Sequence, residues 1–152
     1  ASLNIIGLDS SKEMLKEARK RSDKIFVLGN TESLGFDDSS FDAVFYVTTL
    51  EFVNDYRTAI QEAYRVTKPN GKLLIMMLNP ESEYFHEHFQ RRDSYFRRIK
   101  HINLREVREQ ISKFYEVIKE EYFLGIRGEE IFDSSDKKLA SLYVIVGNQL
   151  WN

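Results

Sequence analysis

The stretch from Phe41 to Leu78 restricts the chain to few folds. Phe41 to Val47 is an apolar strand candidate, and Asp55 to Thr67 carries Ala59, Ile60, Ala63 and Val66 at helical spacing behind a capping Asp55. Lys68-Pro69-Asn70-Gly71 is a turn, and Lys72 to Leu78 is a second apolar run. Strand, crossover helix and strand in this order close as a right-handed parallel unit. The same alternation holds upstream. Ile5 to Leu8 and Ile25 to Leu28 are short apolar runs around a helix that starts at Ser10, with Glu13 three residues later as in a capping box. Met14, Leu15 and Ala18 form its apolar stripe, and Ser22-Asp23 ends it. Nearly continuous apolar strands are those covered on both faces. The expected fold class is therefore α/β and Rossmann-like, a mostly parallel sheet with helices on both faces.

The pattern changes after Asn79-Pro80. Residues 81–102 hold Tyr84, Phe85, Phe89, Tyr95 and Phe96 among charges without clean periodicity, which predicts an irregular or partly helical insertion or lid. Asn103 and Glu106 repeat the capping-box spacing, and Leu104, Val107, Ile111 and Phe114 make a buried stripe. Residues 116–126 and 139–147 read as two final strands joined by a polar segment without a helix pattern, so antiparallel pairing is expected.

At 152 residues the chain has material for one core, with no repeat or linker. A net charge of −2 gives no general attraction to nucleic acid or anionic membranes. The absence of cysteine excludes disulfides and thiolate chemistry and suits a reducing, cytoplasmic setting. No run approaches the ~18–20 apolar residues of a membrane-spanning helix. His86 and His88 are two apart and share no helical face, so no metal is expected. Arg91, Arg92, Arg97, Arg98, Lys100 and Arg105 form a basic cluster that reads first as a solvated face over an apolar lid.

Order and motifs together resemble the class I S-adenosylmethionine-dependent methyltransferases, the small-molecule branch in particular. The resemblance spans Asn4 to about Gly147 and implies one partial class I domain over 1–152, with S-adenosylmethionine as cofactor and a small-molecule acceptor. It assigns Asp9, in Gly7-Leu8-Asp9-Ser10-Ser11, to the ribose hydroxyls, for which a carboxylate offers only acceptors. Helix capping is the alternative for Asp9. Gly29-Asn30-Thr31-Glu32-Ser33-Leu34-Gly35-Phe36 looks like the family segment around the adenine, with Asn30 where Asp is usual and the Thr31 amide as a donor. A polar turn is the alternative there. Cofactor contacts are thus expected from Asp9, Ser10, Asn30, Thr31, Glu32 and Thr48, with Tyr46 a weaker candidate. The substrate end falls at Thr48 to Phe52, where Glu51 is the catalytic candidate, as base or orienting group, against the alternative of a solvated loop carboxylate. Tyr84 and Phe85 are the substrate-covering candidates, against core packing. Trp151 is an apolar anchor without assignable chemistry.

One departure is large. The family's glycine-rich turn follows its first strand, and this chain has no Gly-x-Gly. In the family order 3-2-1-4-5-7-6 the absent strand is central, which predicts two unpaired edges facing a gap. The expectation is a truncated domain, or a vacancy filled by another chain, for instance by strand exchange in a homodimer. A nicotinamide-dependent oxidoreductase and a noncatalytic interaction module remain as alternatives, since an acidic residue after the second strand also serves ribose recognition in dinucleotide-binding folds.

Overall fold

A computed structural model describes residues 3–150. Trp151, the expected anchor, lies outside them. The elements are β1 (Ile6–Asp9), α1 (Lys12–Arg21), β2 (Ile25–Leu28), β3 (Phe41–Val47), α2 (Tyr56–Val66) and β4 (Thr67–Leu78). They continue with α3 (Glu83–Gln90), a 3-10 turn (Tyr95–Arg98), α4 (Leu104–Ile111), β5 (Tyr115–Arg127), β6 (Glu130–Phe132) and β7 (Ala140–Gln149).

The helices begin where capping chemistry allows. Ser11 rather than Ser10 caps α1, its hydroxyl accepting from the Met14 amide at 3.2 Å. Asp55 caps α2 by accepting from the Arg57 amide at 2.9 Å. Asn103 caps α4, accepting from the Glu106 amide at 3.2 Å while its own amide group donates to Glu106 Oε1 at 2.9 Å. The insertion is largely helical, with Ser82 capping α3. The Lys68–Gly71 turn sits as a bulge inside β4, between the pairs Phe41↔Thr67 and Ala43↔Lys72. Asn70 takes φ +62° there, and a Cβ on Gly71 would lie 2.8 Å from the Lys68 carbonyl oxygen, so the turn needs both residue types.

Two sheets form. β1 and β2 pair in parallel, and a separate five-stranded sheet runs β3-β4-β7-β5-β6. Only β3–β4 is parallel in the second; β4–β7, β7–β5 and β5–β6 are antiparallel. Pairing is thus mixed, because the chain abandons strand-helix-strand alternation after β4 and returns through the β5–β7 connection. That connection also holds β6, which the polar sequence of 127–138 concealed. Among the described residues, β1 pairs only with β2 and β3 only with β4, so each leaves one edge without a strand partner, and the two sheets share no strand.

The core lies on one face of the larger sheet. Leu73, Ile75 and Met77 of β4, Tyr46 of β3 and Ile145 of β7 pack under Ala59, Ile60 and Ala63 of α2 and Val107 and Ile111 of α4. The expected double coverage holds only in part. On the opposite face the row Phe45, Leu74, Val146 and the row Val47, Met76, Val144 run across the sheet, yet Phe45 and Val47 are 53% and 55% exposed. Helix α3 covers the β5–β7 side of the molecule, leaving the β3 edge bare.

Candidate functional site

The carboxyl ends of β1, β2 and β3 open into one cleft of ≈ 350 Å³. Its walls include Asp9 and Ser10 after β1, Asn30, Thr31 and Glu32 after β2, and Thr48 after β3. All six residues expected to contact a cofactor therefore meet in one place, although they come from three loops.

Each loop is held by its own chemistry. Asp9 Oδ1 accepts from the Ser11 amide at 2.8 Å, so the carboxylate supports the start of α1. Its Oδ2 has no protein partner among the described residues and remains available. Support of the helix start uses only one of the two carboxylate oxygens. Asn30 Oδ1 accepts from the Glu32 amide at 2.9 Å, and the Asn30 carbonyl accepts from the Ser33 amide at 3.1 Å. The loop is thus the polar turn that was the alternative, and it aligns the intervening Thr31 amide, which has no partner among the described residues. Glu32 Oε1 accepts from the Asp55 amide at 2.5 Å, which ties this loop to the start of α2.

The rest of the 29–40 connection is fixed by Arg65. Its guanidinium donates to the Leu34 and Phe36 carbonyls at 2.9 and 2.8 Å and pairs with Glu62 and Asp38. Glu62 Oε2 also accepts from the Leu34 amide at 2.7 Å. These contacts hold the guanidinium pKa well above its ordinary value and the Glu62 carboxyl below the usual carboxylate range.

Thr48 continues the β3–β4 ladder, donating its amide to the Met76 carbonyl at 2.8 Å, but with φ +43°. A β-branched residue in the left-handed region stores strain, and here it turns the chain out of the sheet at the cleft floor. Phe52, Val53 and Asn54 follow on the wall, and Tyr95 and Lys100 face them from the insertion. The Phe52 and Tyr95 rings lie 4.6 Å apart, and the Lys100 ammonium donates to Asn54 Oδ1. Phe52 closes the stretch expected at the substrate end, whereas Lys100 was absent from the expected site and Tyr95 was read as part of the lid. The sequence carries little signal for Tyr95 and Lys100, since they sit in a stretch without periodicity and are brought in by tertiary packing.

Three expectations fall elsewhere. Tyr46 is a core residue whose hydroxyl donates to the Ala59 carbonyl at 2.9 Å. Tyr84 and Phe85 do not line the cleft; Phe85 is buried and stacks on Phe89 at 5.5 Å, and Tyr84 packs on His88 and Phe96. Glu51 is 1% exposed and does not line the cleft either, so it is no solvated loop carboxylate. Its Oε1 accepts from the Leu78 amide at 2.6 Å, Oε2 is buried without a partner, and burial raises its pKa to about 7. The histidines also have structural partners: His88 Nδ1 lies 2.9 Å from the Tyr84 carbonyl oxygen and His101 Nε2 3.0 Å from that of Val53.

A family model for a methyltransferase domain matches residues 1–75. An uncharacterized protein of Methanocaldococcus jannaschii is 34% identical over 135 residues, 87% of this chain and 62% of that protein. The demethylmenaquinone methyltransferase of Renibacterium salmoninarum is 45% identical over 76 residues, 49% of this chain and 32% of its own length. Among solved structures, a SAM-dependent methyltransferase of Thermotoga maritima, described as a possible histamine N-methyltransferase, superposes with a TM-score of 0.79 at 27% identity. It covers 94% of this chain and 72% of that one. A SAM-dependent methyltransferase from Methanosarcina mazei shares the fold, with a TM-score of 0.69 at 20% identity over 97% of this chain and 82% of that one. The fold is the Rossmann-like α/β fold of class I S-adenosylmethionine-dependent methyltransferases, and the first half of the chain is similar in sequence to the methyltransferase domain. The chain spans less than two thirds of the length of these curated relatives.

Proposed function

We propose that the cleft is the cofactor and acceptor site of a methyltransferase acting on a small molecule. One observation carries this reading: Asp9, Ser10, Asn30, Thr31, Glu32 and Thr48 converge on a single cleft at the carboxyl ends of the strands. The donor set suits an adenosyl ligand. Asp9 Oδ2 is an anionic acceptor for a diol, and the Thr31 amide is a donor for a ring nitrogen. S-adenosylmethionine bound there supplies a sulfonium-activated methyl group, open to attack by an acceptor lone pair. The chain's own part is to bind, orient and exclude water. Thr48 and Thr49 shape the floor beyond the ribose end, and Phe52 with Tyr95 gives an apolar wall against which a ring-bearing acceptor can lie. Quinone-methylating relatives agree with an acceptor of that kind.

As part of the same reading, we infer that the free edges of β1 and β3 face each other across a slot. Two free strand edges flank it, and a strand parallel to both, followed by a glycine-rich turn, would close the sheet beside Asp9 and Thr48. We infer that the working site includes such a strand, from the same polypeptide or a second copy. The test is calorimetric titration with S-adenosylhomocysteine and, separately, with NAD. Saturable binding of the first alone is expected; binding of NAD alone would overturn the assignment.

A further inference from the structure

Among the described residues Glu51 is the one buried carboxyl, the cleft chemistry does not use it, and it touches three segments at once. Its side chain accepts from the Leu78 amide at the end of β4. Its own carbonyl oxygen accepts from the amides of Lys100 and His101, at 2.7 and 3.2 Å. The loop that carries it supplies Thr48, Thr49, Phe52, Val53 and Asn54 to the cleft, and the segment it grips supplies Tyr95 and Lys100. Both aromatic walls of the acceptor end are therefore referenced to the sheet through this residue.

We propose that Glu51 is a positioning residue which, as a neutral acid, clamps the 48–54 wall and the 95–101 segment to the end of β4, and which releases them when it ionises. No cation compensates a charge at this position. Lys100 directs its ammonium to Asn54, and the His101 ring is turned to the Val53 carbonyl and the Tyr56 ring. Asp55 and Tyr56, at the start of α2, bring no positive charge, and Glu51 has no ion pair among the described residues. An unpartnered Oε2 in a dry site is tolerable as a hydroxyl and costly as a carboxylate oxygen. Burial is the leading influence on the carboxyl and raises its pKa to about 7, against the amide bonds, which favour the ionised form.

The clamp itself stands independently of what the cleft binds; its effect on the cofactor rests on the methyltransferase reading. Amide hydrogen exchange in the wild-type chain, Glu51→Gln and Glu51→Ala separates the two. Protection factors at Lys100 and His101 are compared at pH 6 and pH 8, with S-adenosylhomocysteine titrated into each preparation. The wild type is expected to lose about tenfold protection at these two amides from pH 6 to pH 8. Glu51→Gln, an isostere of the neutral acid, should hold its protection at both pH values, and Glu51→Ala should be low at both. Equal protection in the wild type and Glu51→Gln at every pH would overturn the clamp. Unchanged S-adenosylhomocysteine affinity where protection is lost would overturn the clamp's effect on the cofactor. If no variant binds S-adenosylhomocysteine while protection follows the expected pattern, the clamp stands and the methyltransferase reading falls. Should Glu51→Ala fail to fold, the pH contrast between wild type and Glu51→Gln decides the matter.

Discussion

Asp9 has two duties that a single substitution can separate. Asp9→Asn keeps a side-chain oxygen for the Ser11 amide but removes the anion, whereas Asp9→Ala removes both. Asp9→Asn should therefore leave thermal stability nearly unchanged and weaken S-adenosylhomocysteine binding about tenfold, the scale of one lost charge-assisted bond. Asp9→Ala should add a loss of about 1 kcal/mol in stability through the unsupported amide. Denaturant melts and calorimetry on both variants check the division. Glu51 predicts a pH effect of definite sign. Its folded pKa of about 7 lies above the ordinary carboxylate value of 4.5, so the unfolded chain releases its proton first as pH rises. The contribution is fully present below about pH 4.5 and is lost as pH climbs through about 7. The loss totals about 3 kcal/mol by the linkage of pKa shift to stability. The quantity to measure is the difference between wild type and Glu51→Gln in urea unfolding at pH 5 and pH 8, in which every titration common to the two chains cancels. A difference that does not change with pH would refute the assignment. Thr48 predicts a gain: Thr48→Gly relieves a left-handed β-branched residue and should raise stability by about 1 kcal/mol, read as a higher denaturation midpoint.

At the scale of elements, the end of β4 depends on Asn79, which is fully buried. Its amide group donates to the Lys137 and Ala140 carbonyls at 2.7 and 2.8 Å, and its Oδ1 accepts from the Glu81 amide at 3.0 Å. One side chain thus joins β4, the start of α3 and the start of β7. Asn79→Ala should cost about 3 kcal/mol, since it strands buried backbone groups, and a urea midpoint measures it. Asn79 gave no signal in the sequence beyond a residue before proline, because its partners are carbonyls almost sixty residues away. The elements that were legible had local causes. The caps at Asp55 and Asn103, the stripe of α2 and the β5–β7 pairing all follow from residues within a few positions of each other or from strand patterning. The same holds for the convergence of Asp9, Asn30 and Thr48 on one cleft, since each closely follows a strand. The facing wall of the cleft was not legible. Tyr95 and Lys100 reach it through the fold of the insertion, and Tyr84 and Phe85, equally aromatic, were turned into packing instead. Composition alone does not separate the two pairs. Coverage of the strands was also misjudged, because an apolar run records what a strand can bury, not which helix is present to bury it.

The whole molecule carries an exposed apolar edge. Phe45 and Val47 lie on the open face of β3, beside a strand edge with free amides and carbonyls, and Ile6 is 36% exposed on β1 across the slot. Unpaired edges that also present apolar side chains are templates for pairing with another chain. Full burial of a Phe or Val side chain is worth roughly 1.5–3 kcal/mol, so partial cover of both residues contributes on the order of 2 kcal/mol, or roughly thirtyfold in an association constant. The chain is expected to self-associate with rising concentration in sedimentation velocity. Val47→Lys, a charge on the open face that leaves the α2-facing side of β3 untouched, should shift it toward monomer without a large change in unfolding midpoint. A monomer at every concentration, with or without the substitution, would show that the edge is protected in solution. If instead association persists in Val47→Lys, the contact lies elsewhere on the surface. The slot matters to function for the same physical reason. The cleft takes its two halves from two sheets that touch no common strand, and whatever strand seats between them fixes the distance from Asp9 to Thr48. On that reading cofactor affinity and assembly are expected to be coupled, so S-adenosylhomocysteine should change the sedimentation behaviour of the wild type more than that of Val47→Lys.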